Sequence, residues 1–421
     1  MEMAALMAKA TIYSTFSPLH NAALSEKVLL EALEISRQLG DRTAQAKLNW
    51  NLMLAYLFSK QLDKALPYGE VALGLARESD DREQLAFVLN DLCRLYTCRG
   101  EFDKAHIVIG QARQLWQAMD HQVMLADSFG SEAEAYFNSG EYEPALECCR
   151  QGLEICEKIN NLWGQSYDQM LMSFALFQQG ELGSGIQRAG RSNQLADKSG
   201  LLASSISMRS ELAWVYAYCG ALEKGLPLLE HALRVAEAKQ PEWSAFPRAA
   251  KVRMHLLMDD IESAELTMGN EMLQSTSIPY ARYTIFVCLA NIELAVRKHD
   301  FERALALADE LLDEVMPLTR VDVPAVLRCK GNALAGLGRL DEALQALTQA
   351  CSLAQQTDSN LHLWVILADL ATVRTRLGDE HRAAESRRQA RAIVEKIADS
   401  LSEVGLRESF LDRPQVRALL A

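Results

Sequence analysis

The chain has 421 residues, 49% of them hydrophobic and 24% charged, with ten prolines and 22 glycines spread along it rather than clustered. That composition excludes a disordered chain and argues against a β-rich fold. The formal charge of −13, from 56 acidic against 43 basic side chains, disfavours non-specific binding to nucleic acid or to an anionic membrane.

The N-terminal stretch MEMAALMAKATIYSTF places Glu2 and Lys9 inside an apolar run, which makes a poor signal peptide. No stretch of the sequence approaches the roughly 18 uninterrupted apolar residues of a membrane span. A cytoplasmic protein with no membrane partner is expected. Residues 1–41 read as a degenerate N-terminal helix pair, with His20 at its turn and Ala32 in its second helix.

From residue 42 to 398 one phrase recurs nine times. Its turn residues are Lys60, Gly100, Gly140, Gly180, Gly220, Asp259, His299, Gly338 and Gly378, always 39 or 40 positions apart. Before each turn the apolar residues keep a 3.6-residue period, as in LNWNLMLAYLF and SELAWVYAY, which predicts a first helix A. After it, stretches such as ALPYGEVALGLA predict a second helix B. Five positions past the turn the residue is always tiny: Ala65, Ala105, Ala145, Gly185, Gly225, Ala264, Ala304, Ala343 and Ala383. Seven further on the face stays small at Ala72, Ala112, Gly152, Ser192, Ala232, Ala350 and Ala390, with Glu271 and Leu311 as exceptions. Such residues let two helix axes approach, and a bulky side chain there costs about 1–3 kcal/mol by overpacking. The residue two past the turn, from Leu62 and Phe102 to Leu340, plugs the gap; only Glu380 departs.

Pro247, with Asp259 in place of glycine and a shortened period, predicts an irregularity at residues 240–262, while Pro241 falls at or near the start of an A helix. Pro279 and Pro324 fall near the starts of A helices, where a missing N–H is tolerated. Residues 399–421, split by Pro414, read as a capping segment whose Leu406, Phe410, Leu411, Val416 and Leu419 cover the last repeat.

These spacings resemble the tetratricopeptide repeat (TPR) family, whose signature is small, aromatic, turn glycine and two alanines at these offsets. The resemblance implies an all-α fold, a right-handed superhelical α-solenoid of about ten antiparallel helix pairs. The forty-residue period is longer than the family's usual 34. In that respect the chain is similar to the C-terminal sensor arrays of bacterial signalling ATPases, transcription activators and cyclase fusions.

Chemistry is sparse. The eight histidines lie on different repeats without a partner at metal-ligand spacing, and no phosphate loop or nucleophile elbow is present. The acid pairs Asp80–Asp81 and Asp259–Asp260 fall at helix ends, where they read as caps. The nine cysteines, odd in number and without a C-x-x-C, read as buried apolar residues in a reducing compartment; Cys148, Cys149 and Cys156 form the one arrangement resembling a redox sensor. The arginines Arg374, Arg376, Arg382, Arg387, Arg388 and Arg391 are interleaved with acids and read as a solvated helix face. No catalytic residue, cofactor or metal is expected.

If the family geometry holds, A helices line a concave groove, and offsets −13, −6 and −2 from each turn face into it. The residues placed there, or beside it, are Arg94, Glu134, Tyr167, Phe174, Phe177, Gln178, Trp214, Tyr218, Arg253, Glu293, Arg328 and Asn332. Tyr167, Phe174, Phe177, Trp214 and Tyr218 form an aromatic centre suited to anchoring a peptide or an apolar ligand. The charges Arg94 with Glu134 and Arg253 with Glu293 are placed to pair across adjacent helices. Arg328 and Asn332 match half of the family's carboxylate clamp, but Cys329 stands where an Asn would help, so binding of chaperone tails is not expected.

The leading expectation is a non-catalytic scaffold or sensor mediating protein–protein interaction with a peptide or partner domain. It would be the regulatory part of a larger bacterial signalling protein, whose own effector domain is a candidate partner. A small-molecule inducer sensor is the alternative, and a nucleic-acid-binding helical repeat ranks below both.

Overall fold

The computed structural model describes residues 22–79, 81–269 and 280–421. Within them the chain forms twenty-one α-helices and no strand. After α1 (Ala22–Gln38), helices follow as A–B pairs. These are α2 (Arg42–Phe58) with α3 (Leu62–Glu78), α4 (Arg82–Cys98) with α5 (Phe102–Ala118), and α6 (Gln122–Ser139) with α7 (Tyr142–Lys158). Next come α8 (Leu162–Gln179) with α9 (Leu182–Ser199) and α10 (Leu202–Tyr218) with α11 (Leu222–Lys239). Then come α12 (Ala245–Leu257) with α13 (Ile261–Met268), and α14 (Ala281–Arg297) with α15 (Phe301–Val315). The series ends with α16 (Val323–Gly336) and α17 (Leu340–Gln356), α18 (Asn360–Arg376) and α19 (Glu380–Ser400), and the tail helices α20 (Val404–Leu411) and α21 (Pro414–Leu420). The solenoid fold expected from the periodicity is the fold present. His20, Asp80, Glu271 and Pro279 lie outside the described residues.

All nine repeat turns are made the same way. Each turn residue has a positive φ, from 58° at Lys60 to 82° at Gly140, and the non-glycines Asp259 and His299 conform too. The left-handed residue ends helix A and lets the following N–H reach back to a carbonyl five residues earlier, as Glu101 does to Tyr96. Helix A starts are fixed by side-chain caps: Asp41, Asp81 and Asn161 accept from the backbone N–H three residues on. The acids read as caps thus include true ones, while Asp259 instead pairs with Arg297.

The tiny residues lie at the helix contacts: Ala65, Ala105, Ala264, Ala304, Ala343 and Ala383 are fully buried. A Cβ on Gly225 would stand 2.6 Å from the Ala213 carbonyl oxygen, so glycine there sets how near α11 comes to α10. The irregularity at 240–262 appears as a 3-10 turn over Pro241–Trp243, with α12 and α13 cut to 13 and 8 residues.

The superhelix then closes on itself. Turns of the N-terminal units meet connections of units five or six places later. Lys60 pairs with Glu314 at 2.9 Å. Arg320 N and Thr319 Oγ1 both donate to the Asn138 carbonyl, at 2.9 and 3.1 Å. Asn360 Nδ2 donates to Gln179 O at 3.0 Å, and Ser400 Oγ to Gly180 O at 3.1 Å. The tail was expected to cap the last pair. It packs on α19 but also reaches across this seam, where Phe410 stacks on Tyr218 at 6.1 Å and Arg413 donates to the Tyr218 carbonyl at 2.8 Å.

The seam gives glycines of equal φ unequal roles. Gly100 (φ 71°) has the Pro317 carbonyl where its Cβ would be, whereas Gly338 (φ 77°) faces open space. Gly338→Ala should cost only the backbone strain, about 1–2 kcal/mol. Gly100→Ala adds overpacking, for roughly 2–5 kcal/mol in all, and should loosen the seam. Urea melts of both variants, with hydrogen exchange at residues 315–322, check the contrast; equal losses would deny the seam a part in stability.

Candidate functional site

The inner wall is divided by the closure. On the N-terminal side the A helices leave a chamber of about 450 Å³. Its walls are Trp50, Leu54 and Phe58 of α2, Phe87, Asp91 and Arg94 of α4, and Val123, Asp127, Gly130 and Glu134 of α6. Trp163, Tyr167, Asp168 and Phe174 of α8 and Ala203, Ser204 and Ser207 of α10 continue it. Tyr280, Arg282 and Tyr283, at the start of α14 in the C-terminal half, line the same space, as does Trp243. Val123 and Trp163 are 50% and 41% exposed.

Four of the twelve expected residues line this chamber: Arg94, Glu134, Tyr167 and Phe174. The other eight do not. Phe177 is buried against the bare backbone at Gly185. Gln178 sits in the seam, donating from Nε2 to Asp322 Oδ1 at 2.7 Å and accepting from Ser359 at 2.6 Å. Trp214 and Tyr218 are buried with rings 5.4 Å apart, and Tyr218 donates to the Leu361 carbonyl at 3.2 Å. Arg253 lies over the Trp214 ring at 4.5 Å and pairs with Glu293 through two bonds of 2.9 and 3.1 Å. Arg328 and Asn332 both donate to Asp369, at 2.6 and 2.9 Å. The half-clamp is therefore consumed by the neighbouring helix. Phe177 and Gln178 are thus turned into a helix contact and the seam, while the other six pair or pack with neighbours along the later units.

Arg94 corrects a pairing as well. It bonds Asp127 rather than Glu134, through one Nη2 at 2.8 and 2.9 Å to the two carboxylate oxygens. Asn90 also donates to Asp127, at 2.8 Å, and Trp50 Nε1 donates to Asp91 at 2.9 Å. Among the described residues Glu134 Oε2 has no hydrogen-bond partner. Burial pushes the Glu134 carboxyl up to about 7 and that of Asp91 up to about 6. Arg282 lies over the Phe174 ring, 3.8 Å from its centre, and pairs with Glu211. It also helps hold Asp322: burial pushes that carboxyl up, but the His362 bond at 2.8 Å and the Arg282 charge outweigh it and hold it at about 2.

The other chemistry weighed in the sequence is inert here. Burial drives the Cys148 and Cys156 thiols up to about 12 and Cys149 well above its usual range, so none is a ready thiolate. All nine cysteines are free. The arginines of α18 and α19 are used locally, Arg376 on the Ala335 carbonyl, Arg387 on Thr375 and Arg391 on Glu395. Among the described residues no group of three His, Cys, Asp or Glu could hold a metal, and no helix is long and apolar enough to cross a membrane.

Sequence reasoning missed Asp91, Asp127, Asp168 and the α14 residues. Asp127, with Phe87 and Ser207, occupies offset −13, so the helical spacing carried the signal. Asp168 stands one position off that face, and only the closure brings Arg282 opposite α8.

Residues 52–358 match the family model described as the MalT-like TPR region. No curated protein matches the sequence at a comparable level. Among solved structures, a Rap protein complexed with Competence and Sporulation Factor is similar, with a TM-score of 0.57 at 13% identity, over 84% of this chain and 99% of that one. Aspartyl phosphate phosphatase F from Bacillus subtilis is similar with a TM-score of 0.53 at 11% identity, over 68% and 75% of the two chains. At such identities the likeness is one of fold.

Carboxyls raised in the folded state bind protons more tightly there than in the unfolded chain. Their contribution to stability therefore grows as pH falls through about 7 toward the ordinary value near 4.5. The unliganded protein should gain melting temperature between pH 7.5 and 5. Glu134→Gln should raise stability at pH 7.5 and flatten the profile by roughly 2–3 kcal/mol. Calorimetric melts at both pH values check this; an unchanged slope in the variant would deny Glu134 its raised pKa.

Proposed function

The chain belongs to the family of MalT-like TPR regions, and from that premise we propose that it is a non-catalytic recognition array. Its chamber takes a peptide or a segment of a partner protein, as the regulatory part of a signalling system. The observation that carries this reading is the chamber itself: the A helices of five consecutive units leave about 450 Å³ open between them. On the later units the matching positions pair with neighbouring helices instead, as Arg253 does with Glu293 and Arg328 with Asp369. A space of that size suits a compact ligand or a few side chains, and rigid aromatic walls anchor such groups at low entropic cost. The Rap protein of similar fold, solved with a bound factor, supports the reading.

Occupancy has a route to the rest of the molecule. Tyr280, Arg282 and Tyr283 come from the C-terminal half, so an occupant touches both sides of the closure and favours the closed form. A small-molecule inducer in the same chamber is the second reading, which the same aromatic walls favour.

Ala203 is half-buried on the chamber wall at the edge of the core, so Ala203→Trp adds bulk to the chamber. Melting temperature is to be measured for both proteins against pools of random hexapeptides and a metabolite library. A peptide pool should raise the melting point of the native protein by about 3 °C, as expected for a ligand well above its Kd, and leave Ala203→Trp unmoved. A response to metabolites alone favours the inducer reading. Equal responses in the two proteins would place recognition outside the chamber and overturn both.

A further inference from the structure

Resting on the chamber reading above, we propose that Asp168 is the receptor for a positively charged group, an ammonium or guanidinium, carried by an otherwise apolar ligand. Asp168 lines the chamber, is 2% exposed, and has no hydrogen bond or ion pair among the described residues. Burying a carboxylate unpaired is strongly unfavourable, so the charged form of Asp168 is favoured only when a cation joins it. The carboxyl itself lies in a slot between two glycines. A Cβ on Gly152 would stand 3.0 Å from Asp168 Oδ2, and one on Gly130 3.4 Å from Oδ1. Two glycines on neighbouring helices thus keep the carboxylate's place open.

The surrounding charges select the sign of the ligand. The chamber is lined by the acids Asp91, Asp127, Glu134 and Asp168 against Arg94 and Arg282. Arg94 is already held by Asp127, and Arg282 by Glu211. Among the described residues Asp168 and Oε2 of Glu134 lack hydrogen-bond partners, as do Nε and Nη1 of Arg282, but the lining carboxyls outnumber the guanidiniums by four to two. Beside Asp168 in sequence, Tyr167 stacks on Trp163 with ring centres 5.6 Å apart, a surface that attracts cations as well as apolar groups. An anion would find only the Arg282 guanidinium, which already lies beside the Glu211 and Asp322 carboxylates.

A proton accompanies the exchange. Burial first, then the nearby Asp127 charge, holds the Asp168 carboxyl well above its usual range, so it keeps a proton more readily than a solvated carboxyl does. The ionisable groups facing it are Asp127 on α6 and Cys149 and Cys156 on α7, and burial keeps both thiols protonated at neutral pH. A cation entering the chamber ionises Asp168, and the proton passes to solvent.

Calorimetry on the whole chain at pH 7 tests this with two arms. One compares tryptamine with its uncharged isostere tryptophol; the other compares a terminally blocked phenylalanine–lysine–leucine tripeptide with its lysine-acetylated form. In at least one arm the cation should bind ten-fold or more tighter than its neutral partner, with proton release visible as a dependence of heat on buffer. The arm that responds tells a free amine from a peptide side chain. Asp168→Asn, with an unchanged circular dichroism spectrum, should remove both the preference and the proton release; Asp168→Glu should keep part of each. Equal binding of charged and neutral forms, no binding by either cation at millimolar concentration, or a preference surviving in Asp168→Asn would overturn the proposal. If the cation preference fails while Ala203→Trp still abolishes peptide-pool binding, the chamber keeps its role and only the charge assignment falls. If cations bind Ala203→Trp unchanged, the chamber reading itself fails.

Discussion

The structure depends on how near two helix axes can come. At each repeat a residue with almost no side chain lies on helix B against helix A, and the contact tolerates nothing larger. Gly185 shows the limit, since a Cβ there would stand 2.5 Å from the Phe177 ring. Close approach fixes the angle within each pair, and the shared left-handed turn fixes how the second helix departs from the first. Repeated nine times with little variation, these two local constraints accumulate into a superhelix tight enough for later units to meet earlier ones.

That meeting divides the inner wall into two regimes. Toward the C-terminal end the wall positions are spent on neighbours: Arg253 on Glu293, Arg328 and Asn332 on Asp369, Tyr218 on the Leu361 carbonyl and the Phe410 ring. Toward the N-terminal end the same register is left facing a chamber. The chamber holds buried carboxyls whose proton affinities are raised, whereas the seam holds Asp322 with its affinity lowered. Opposite shifts in one molecule mark the difference between a site short of positive charge and one supplied with it.

The fold was legible in the sequence because its determinants are local. A turn residue that must adopt positive φ, and a tiny residue five positions on, recur at a spacing no other architecture explains, and even Lys60, Asp259 and His299 keep the conformation the register demands. The site was legible only in part. Arg94, Glu134, Tyr167 and Phe174 could be placed by helical phase alone. Whether the same phase in Trp214 or Arg253 faces a cavity or a packed neighbour depends on the superhelical pitch. That pitch is the sum of many small rotations, none of which leaves a mark on a single residue. Asp168 escaped for a simpler reason: it stands one position off the predicted face, in space opened by glycines on two other helices.

An open solenoid can lengthen or shorten by a repeat and remain sound, since each unit answers only to its neighbours. The contacts of Gly100 with Pro317, Gly180 with Asn360 and Tyr218 with Arg413 remove that freedom here. Deleting or duplicating one forty-residue unit between them would bring every later connection opposite the wrong turn. The number of repeats has thereby become a fixed dimension of the molecule, as strand number is in a closed barrel.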